Sequence, residues 1–299
     1  VALLTALLIV ALAGVAATAM ASALRLRGHA MANMIHREQA YQIVLGGEAW
    51  ARDILLQSQQ ENGYDALTEE WAGRVPPMPV RGGSVGGFLE DMQGRFNLNN
   101  LVHEEAQSPV SVGRFQRLLD ILGLDPNLAN AIADWIDPDD IYGGPGGAEN
   151  DLYAGVSPGV RTAGKPLVSV TELMQVHGVT QEVYQTLAPF VAALPVRTGI
   201  NVNTAKPEVL MSLADGVTRA DAQVIIDQRK LEPFEKPEDF LYLPVLNQYD
   251  IDTSGIEVFS NFYLLNADAQ VGRGRVRLFS LIERTGKGVI VRMRGQGVI

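Results

Sequence analysis

Val1-Ala2-Leu3-Leu4-Thr5-Ala6-Leu7-Leu8-Ile9-Val10 opens a run that continues to Leu24 without one charged side chain, and Arg25 and Arg27 follow at once. A helix of that length rises about 36 Å, enough to cross the ~30 Å hydrocarbon core of a bilayer with its backbone groups satisfied internally. Buried helices of soluble proteins rarely stay apolar on every side for so long. A secretory signal is the more serious competitor, because Ala19-Met20-Ala21 reads as a small-residue cleavage site, yet no basic region precedes the apolar run. The run is therefore read as a single membrane anchor retained after a basic leader is removed, with the bulk of the chain outside the bilayer.

The helix is expected to continue past the anchor. Ile43, Gly47, Trp50 and Ile54 recur at helical spacing, with Glu38, Gln42, Glu48, Arg52 and Asp53 assigned to the polar side. The pair Gly46-Gly47 either weakens this helix or lets another element pack closely. One helix to about residue 60 follows, and Pro76, Pro77 and Pro79 bar any further continuation.

The whole chain has 299 residues, 47% of them hydrophobic and 19% charged, which is too apolar for disorder and long enough for one large or two smaller domains. Its 24 Lys and Arg against 34 Asp and Glu give a net charge of −10, unfavourable for non-specific nucleic-acid binding. The absence of cysteine removes disulfides, thiolate catalysis and Cys-ligated zinc.

Strand signals appear in two places. Phe88–Asp91 and Arg95–Leu98 flank Met92-Gln93-Gly94 and read as a short hairpin; Phe262–Val271, Arg275–Arg284 and Val289–Arg294 read as an antiparallel meander. Neither group buries a sheet face alone, so both are expected to pack on the amphipathic half of the first helix. The expected organisation is a membrane segment over residues 1–24, helix continuation and first strands over 25–103, an inserted helical domain over 104–255, and final strands over 256–299. Arg273, Arg275 and Arg277 share one face of a strand. They are read as a solvated edge that resists mispairing, or as a contact for an acidic partner.

The insertion contains an imperfect repeat. Asn97-Leu98-Asn99 precedes a helix–turn–helix ending in Asn127–Ile136, and Asn201-Val202-Asn203 precedes a second ending in Arg219–Arg229. The second copy is similar to a helix-hairpin-helix unit, which in many proteins holds DNA phosphates on backbone N–H groups. Thr218 stands where the second hairpin glycine belongs, and Asp125-Pro126 occupy that turn in the first copy. Compact helical packing is the plainer reading.

The sharpest local signal is Asp134-Trp135-Ile136-Asp137-Pro138-Asp139-Asp140 through Glu149-Asn150-Asp151. Six carboxylates and four glycines lie there with no cation. Such crowding repels unless something neutralises it. Calcium is the natural candidate, since it takes six to eight oxygens in flexible geometry; a solvated acidic loop is the alternative. Tyr142 and Ala148 stand where an EF-hand requires Gly and Glu. Catalytic patterns are poor. Gly82-Gly83-Ser84-Val85-Gly86 has the spacing of a nucleophile elbow but follows a Pro-rich loop rather than a strand, and none of His29, His36, His103 and His177 lies in a zinc motif. No enzyme is expected.

Taken together, these residues resemble the K-type minor pseudopilin of the bacterial type II secretion system. Four segments carry the likeness: Val1–Val10; Gly94-Arg95-Phe96-Asn97-Leu98-Asn99; Asp134–Asp139 with Gly147–Tyr153 and Pro166–Leu173; and Asn201-Val202-Asn203-Thr204-Ala205. Pilin-like subunits mostly carry Glu at the fifth position. The K-type lacks it, and here that position is Thr5. The resemblance implies an α+β pseudopilin fold, a long N-terminal transmembrane and amphipathic helix against a small antiparallel sheet with a large helical insertion. It implies Ca²⁺ on Asp137, Asp139, Glu149 and Asp151, with Asp140 as a further ligand, and processing by prepilin peptidase with methylation at Val1. It places the chain in the inner membrane, single-pass, with its bulk in the periplasm. There it would start and cap a filament tip with the I-type and J-type minor pseudopilins, among other pseudopilins and the inner-membrane platform, for export of folded proteins. Two rivals are a membrane-anchored DNA receptor using the helix-hairpin-helix units and a tethered hydrolase using Ser84.

Overall fold

A computed structural model describes residues 1–155 and 161–297. One helix, α1 (Ala2–Glu61), runs unbroken through the apolar segment and the amphipathic one, and Asn62 leaves it in an extended conformation. No residue before Ala40 is buried. From there Ala40, Val44, Glu48, Ala51, Leu55 and Ser58 form a buried stripe at spacings of three and four, the signature of one helix face against a core. Gly47 lies on the neighbouring row, where an added Cβ would sit 3.3 Å from the Val85 side chain, so the glycine serves close packing.

That stripe meets a five-stranded antiparallel sheet. β1 (Val75–Val80), β2 (Gly83–Asp91), β3 (Phe262–Val271), β4 (Gly274–Thr285) and β5 (Gly288–Gln296) lie side by side in that order. The meander β3–β4–β5 matches the sequence expectation to within a residue or two at most ends. Period-two alternation turns Tyr263, Leu265, Ala267, Ala269 and Val271 of β3, and Val276, Leu278 and Ile282 of β4, onto α1. Full burial of an aliphatic side chain such as Leu55 contributes about 1.5–3 kcal/mol, so this seam holds α1 to the sheet without any special bond.

Three expectations need correction. The hairpin near Met92 does not form. β2 pairs with the proline-containing β1 through a turn at Arg81-Gly82, and Phe96-Asn97 instead pairs parallel with Val191-Ala192. Prolines suit an edge strand, which need not donate on its outer side. Glu48 is buried, not polar-side: Ser280 donates to it at 2.6 Å and Arg294 at 2.7 and 2.8 Å. Arg275 and Arg277 lie on β4, an interior strand, so they protect no edge.

Between β2 and β3 the chain leaves the sheet and builds a second body with its own apolar core. Its helices are α2 (Pro109–Ile121), α3 (Leu128–Ile136), α4 (Asn150–Ala154), α5 (Gln181–Leu187), α6 (Pro207–Met211), α7 (Arg219–Leu231) and α8 (Pro237–Leu241). The core includes Phe115, Leu118, Leu119, Ile132, Leu210 and Ile225, and draws in Phe96, Leu98, Leu101 and Val258 from the flanks. The repeated Asn-x-Asn motifs act here as backbone staples. Asn97 accepts from Asn99 N and Leu194 N while donating to Val196 O; Asn99 both donates to and accepts from the Leu167 backbone. Asn203 does the same with Phe234. Irregular loops bury backbone groups that no ladder satisfies, and amides with both donor and acceptor answer them.

The two bodies meet at a buried polar joint. Asn201 donates to Asp65 O, to Asp91 Oδ2 and to Ser260 Oγ at 3.0–3.1 Å. Asp65 pairs with Arg284, whose guanidinium also lies 5.0 Å from the Tyr263 ring centre.

Candidate metal centre

The acidic segment folds around the end of α3. The last turn of that helix carries Asp134, and Asp137 follows it as the first extended residue. Asp134 is fully buried and fully answered: Oδ1 accepts from Gln107 Nε2 (2.7 Å) and Gly143 N (3.0 Å), Oδ2 from Ala148 N (2.8 Å). It shapes the loop rather than facing outward. A Cβ on Gly143 would come within 2.7 Å of Asp134 Oδ1, and one on Gly147 within 2.4 Å of Oδ2, so the cradle requires glycine at both places.

Asp137, Asp139 and Glu149 then converge, with one oxygen of each lying within 4.8 Å of the others. Glu149 is buried and neither of its carboxylate oxygens has a partner. Asp137 is buried too; Oδ2 accepts from Gln107 at 3.0 Å, and Oδ1 has none. Asp139 is exposed and accepts from Ile141 N at 2.8 Å. Burial pushes the Asp137 carboxyl up to about 6, against the help of Gln107, and Asp139 and Asp134 add repulsion. Burial, then the charges of Asp134, Asp137, Asp140 and Asp139, pushes Glu149 up to about 7.

Orphaned buried carboxylate oxygens are costly. A set of three hard oxygen donors, two of them desolvated, fits a divalent cation with oxygen preference, and nitrogen or sulfur donors are missing from the cluster. The other two expected ligands are engaged elsewhere. Asp140 accepts from Asn150 Nδ2 at 2.5 Å, and Asp151 from Tyr142 OH at 2.5 Å and Leu152 N at 2.8 Å. Gln107 was not foreseen. It lies 27 residues before Asp134 on a separate two-residue strand, and nothing in its own neighbourhood marks it.

Around the centre, Trp135 packs edge-on to Tyr153 at 5.2 Å, and Tyr153 OH accepts from His177 N at 2.9 Å, tying the loop to the core. The second helix-hairpin-helix turn spends its amide within the chain. Thr218 N donates to Asp221 at 2.9 Å, and Tyr249 OH donates to the same carboxylate at 2.7 Å. An acceptor already sits where a phosphate would have to bind. Ser84 lies within β2, directly after a turn, without the strand–turn–helix frame of a nucleophile elbow.

Comparison with known proteins agrees with this architecture. Residues 94–196 and 200–258 match two family models, both described as type II secretion system (T2SS), protein K. Type II secretion system protein K of Pseudomonas aeruginosa is 33% identical over 99% of this chain and 93% of the relative. The chain belongs to the type II secretion system protein K family. The Klebsiella pneumoniae protein K is 31% identical, over 99% of this chain and 96% of its own length. A chain in the crystal structure of the GspK-GspI-GspJ complex from enterotoxigenic Escherichia coli superposes with a TM-score of 0.77 at 28% identity, covering 88% of this chain and 97% of that one. The α+β fold expected from the resemblance is thus the protein K fold. This family is a structural part of a secretion machine, and α1 has the length and apolarity of a single membrane anchor, with mean hydropathy 2.4 in its most apolar window.

Proposed function

We propose that this protein K stands at the tip of the type II secretion pseudopilus, starting assembly and capping the filament with GspI-type and GspJ-type partners. The observation that carries the reading is where the helical body sits. Among the described residues it joins the sheet at the ends of β2 and β3, at Arg284 near the end of β4, whose N–H donates to Asn261 O at 2.7 Å, and beside the end of α1, where Asp65 N donates to Val258 O at 2.8 Å. That is the end farthest from the anchor, so the body blocks a further subunit from stacking there. Thr5 supports the same reading. Its hydroxyl donates to Ala2 O at 2.9 Å within the helix, and it offers no charge to another subunit's amine. In lipid an unpaired charge is costly, so the Glu of other pilin-like subunits is useful only beneath a neighbour.

Within this reading, residues 1–24 form the transmembrane segment and the rest of the chain lies in the periplasm. The inserted domain is 104–255 extended by its flanking strands. The ion at Asp137, Asp139 and Glu149 is Ca²⁺, structural rather than catalytic. It would neutralise the carboxylates and lock the loop between α3 and α4, with Asp140 and Asp151 completing its shell through rearrangement or water.

Full-length chain is to be mixed in detergent with the I-type and J-type partners of the same system, with and without a calcium chelator. A stable ternary complex that weakens on chelation is expected. Failure to form any complex would overturn the role, and a complex indifferent to chelator would overturn the metal. Thr5→Glu is expected to leave that complex intact.

A further inference from the structure

The sheet has one basic end, and that end lies on the side of the apolar segment of α1. Ser84 at the start of β2 pairs with Gln270 near the end of β3, so the β1–β2 turn and the β3–β4 turn lie together. The first carries Arg81 and the second Arg273, with Arg275 and Arg277 following on β4, all exposed. The β3–β4 turn is pressed against α1. A Cβ on Gly272 would come within 2.8 Å of the His36 ring, and one on Gly274 within 2.5 Å of the backbone of His36 and Arg37. Arg273 is therefore held between two glycines that dock on the helix, at the level of exposed Arg37 and above Arg25 and Arg27.

Seven arginines thus surround the exit of the anchor, against the two carboxylates Glu38 and Asp268. The other 17 cationic residues of the chain are matched by 32 carboxylates. Ion pairs are also more frequent in the rest of the chain, though not general there. Arg284, Arg292, Arg294 and Arg95 are each bridged to an acid, whereas of the seven only Arg275 has a carboxylate partner among the described residues, Asp268 at 3.9 Å. A chain of net charge −10 that gathers unpaired arginines at one end, on an interior strand where edge protection has no purpose, presents them to something anionic.

We infer that this end of the sheet docks on the anionic phospholipid surface of the membrane that α1 crosses. The distance allows it. From Leu24 to His36 the helix climbs about 18 Å, and the headgroup zone accounts for about 5–7 Å of that. The mean tilt of membrane helices, about 20°, brings the turn lower on its own side. The remaining gap is comparable to the ~8 Å screening length of physiological salt, within which arginines are drawn to acidic headgroups. Docking fixes which way the subunit leans, sheet side to lipid, and leaves the opposite face of α1 open.

The chain has no cysteine, so single reporters are unambiguous. Gln270→Cys places a fluorophore beside the basic turns. Gly286→Cys, at the far turn where an added Cβ meets nothing within 4 Å, is the control. Full-length labelled chain is reconstituted in phosphatidylcholine nanodiscs, with or without phosphatidylglycerol, carrying a spin label on the headgroups. Quenching at 270 should rise about two-fold or more with the anionic lipid. It should fall back in high salt and in Arg81→Gln/Arg273→Gln/Arg275→Gln, while 286 stays unchanged. Equal quenching at 270 in both lipids would overturn docking and leave the arginines to a protein partner. A lipid effect that survives both high salt and the triple substitution would overturn the role of these residues.

Discussion

Two clusters of buried carboxylates sit in this chain, and they are built on opposite principles. At the joint between sheet and helical body, Asp65 faces Arg284 and Asp91 is ringed by donors: Gln93 N at 2.8 Å, Asn201 Nδ2 at 3.0 Å, Ser260 Oγ at 2.7 Å and Thr204 Oγ1 at 2.5 Å. In the loop after α3, Glu149 has no partner on either oxygen, Asp137 has one free oxygen, and among the described residues no Lys or Arg forms an ion pair with either. At the joint Asp65 Oδ1 is the one carboxylate oxygen left without a partner among the described residues, and Arg284 balances that charge. The loop leaves three buried carboxylate oxygens unanswered, and could hold a metal ion. Neither burial nor a single unanswered oxygen beside an arginine therefore marks a ligand site; several unanswered buried oxygens without a paired cation do.

Breaking the joint should have the largest effect. Arg284→Met leaves Asp65 buried and uncompensated, and a loss of about 3–5 kcal/mol is expected in the denaturant midpoint. A loss below about 1 kcal/mol would show that the pair contributes little.

A pH titration separates the clusters next. Asp137 (about 6) and Glu149 (about 7) are raised above their ordinary values, so the folded chain binds more protons than the unfolded one. Stability of chelated protein should then fall as pH rises from about 4 to 7, by about 2–3 kcal/mol. Asp91, pushed up to about 6 by burial against its bonds from Thr204, Ser260 and Gln93 N, with repulsion from Asp65, acts in the same direction. Calcium distinguishes them: it should recover melting temperature at pH 7 and much less at pH 5, where the loop carboxylates hold protons. A calcium response equal at both pH values would break the comparison.

Glu149→Gln sharpens it further. The neutral amide removes the unpaired charge, so the chelated variant should be more stable than the parent at neutral pH by about 1–2 kcal/mol. Its melting temperature should no longer respond to calcium. The smallest effect belongs to Asp140→Asn and Asp151→Asn. Both side chains are exposed and engaged with Asn150 and Tyr142, so stability should change by no more than about 0.5 kcal/mol and calcium affinity by a few-fold, read by calorimetry.

How much was legible depended on the range of the signal. Helical periodicity from Ala40 to Ser58 and strand alternation in β3–β5 are local, and both are plain in the residues. The pairing of β2 with β1 is not legible locally, because Pro76, Pro77 and Pro79 suit a strand only at the sheet edge, and the edge exists only in the assembled sheet. At the metal centre the acidic run announced itself by composition. Which carboxylates converge did not, since Asp140 and Asp151 are as acidic as Asp139 and Glu149 yet turn to other partners.

The sequence by itself determined the long apolar segment, the amphipathic continuation of α1 and the final meander, because hydrophobic period is written residue by residue along the chain. Only the tertiary structure decided that Glu48 is an inward ion pair, that Gln107 orders the acidic loop, and that Arg81 and Arg273 share one end of the sheet. Those outcomes are set by contacts between residues far apart in the chain, and such contacts exist only once the elements have packed.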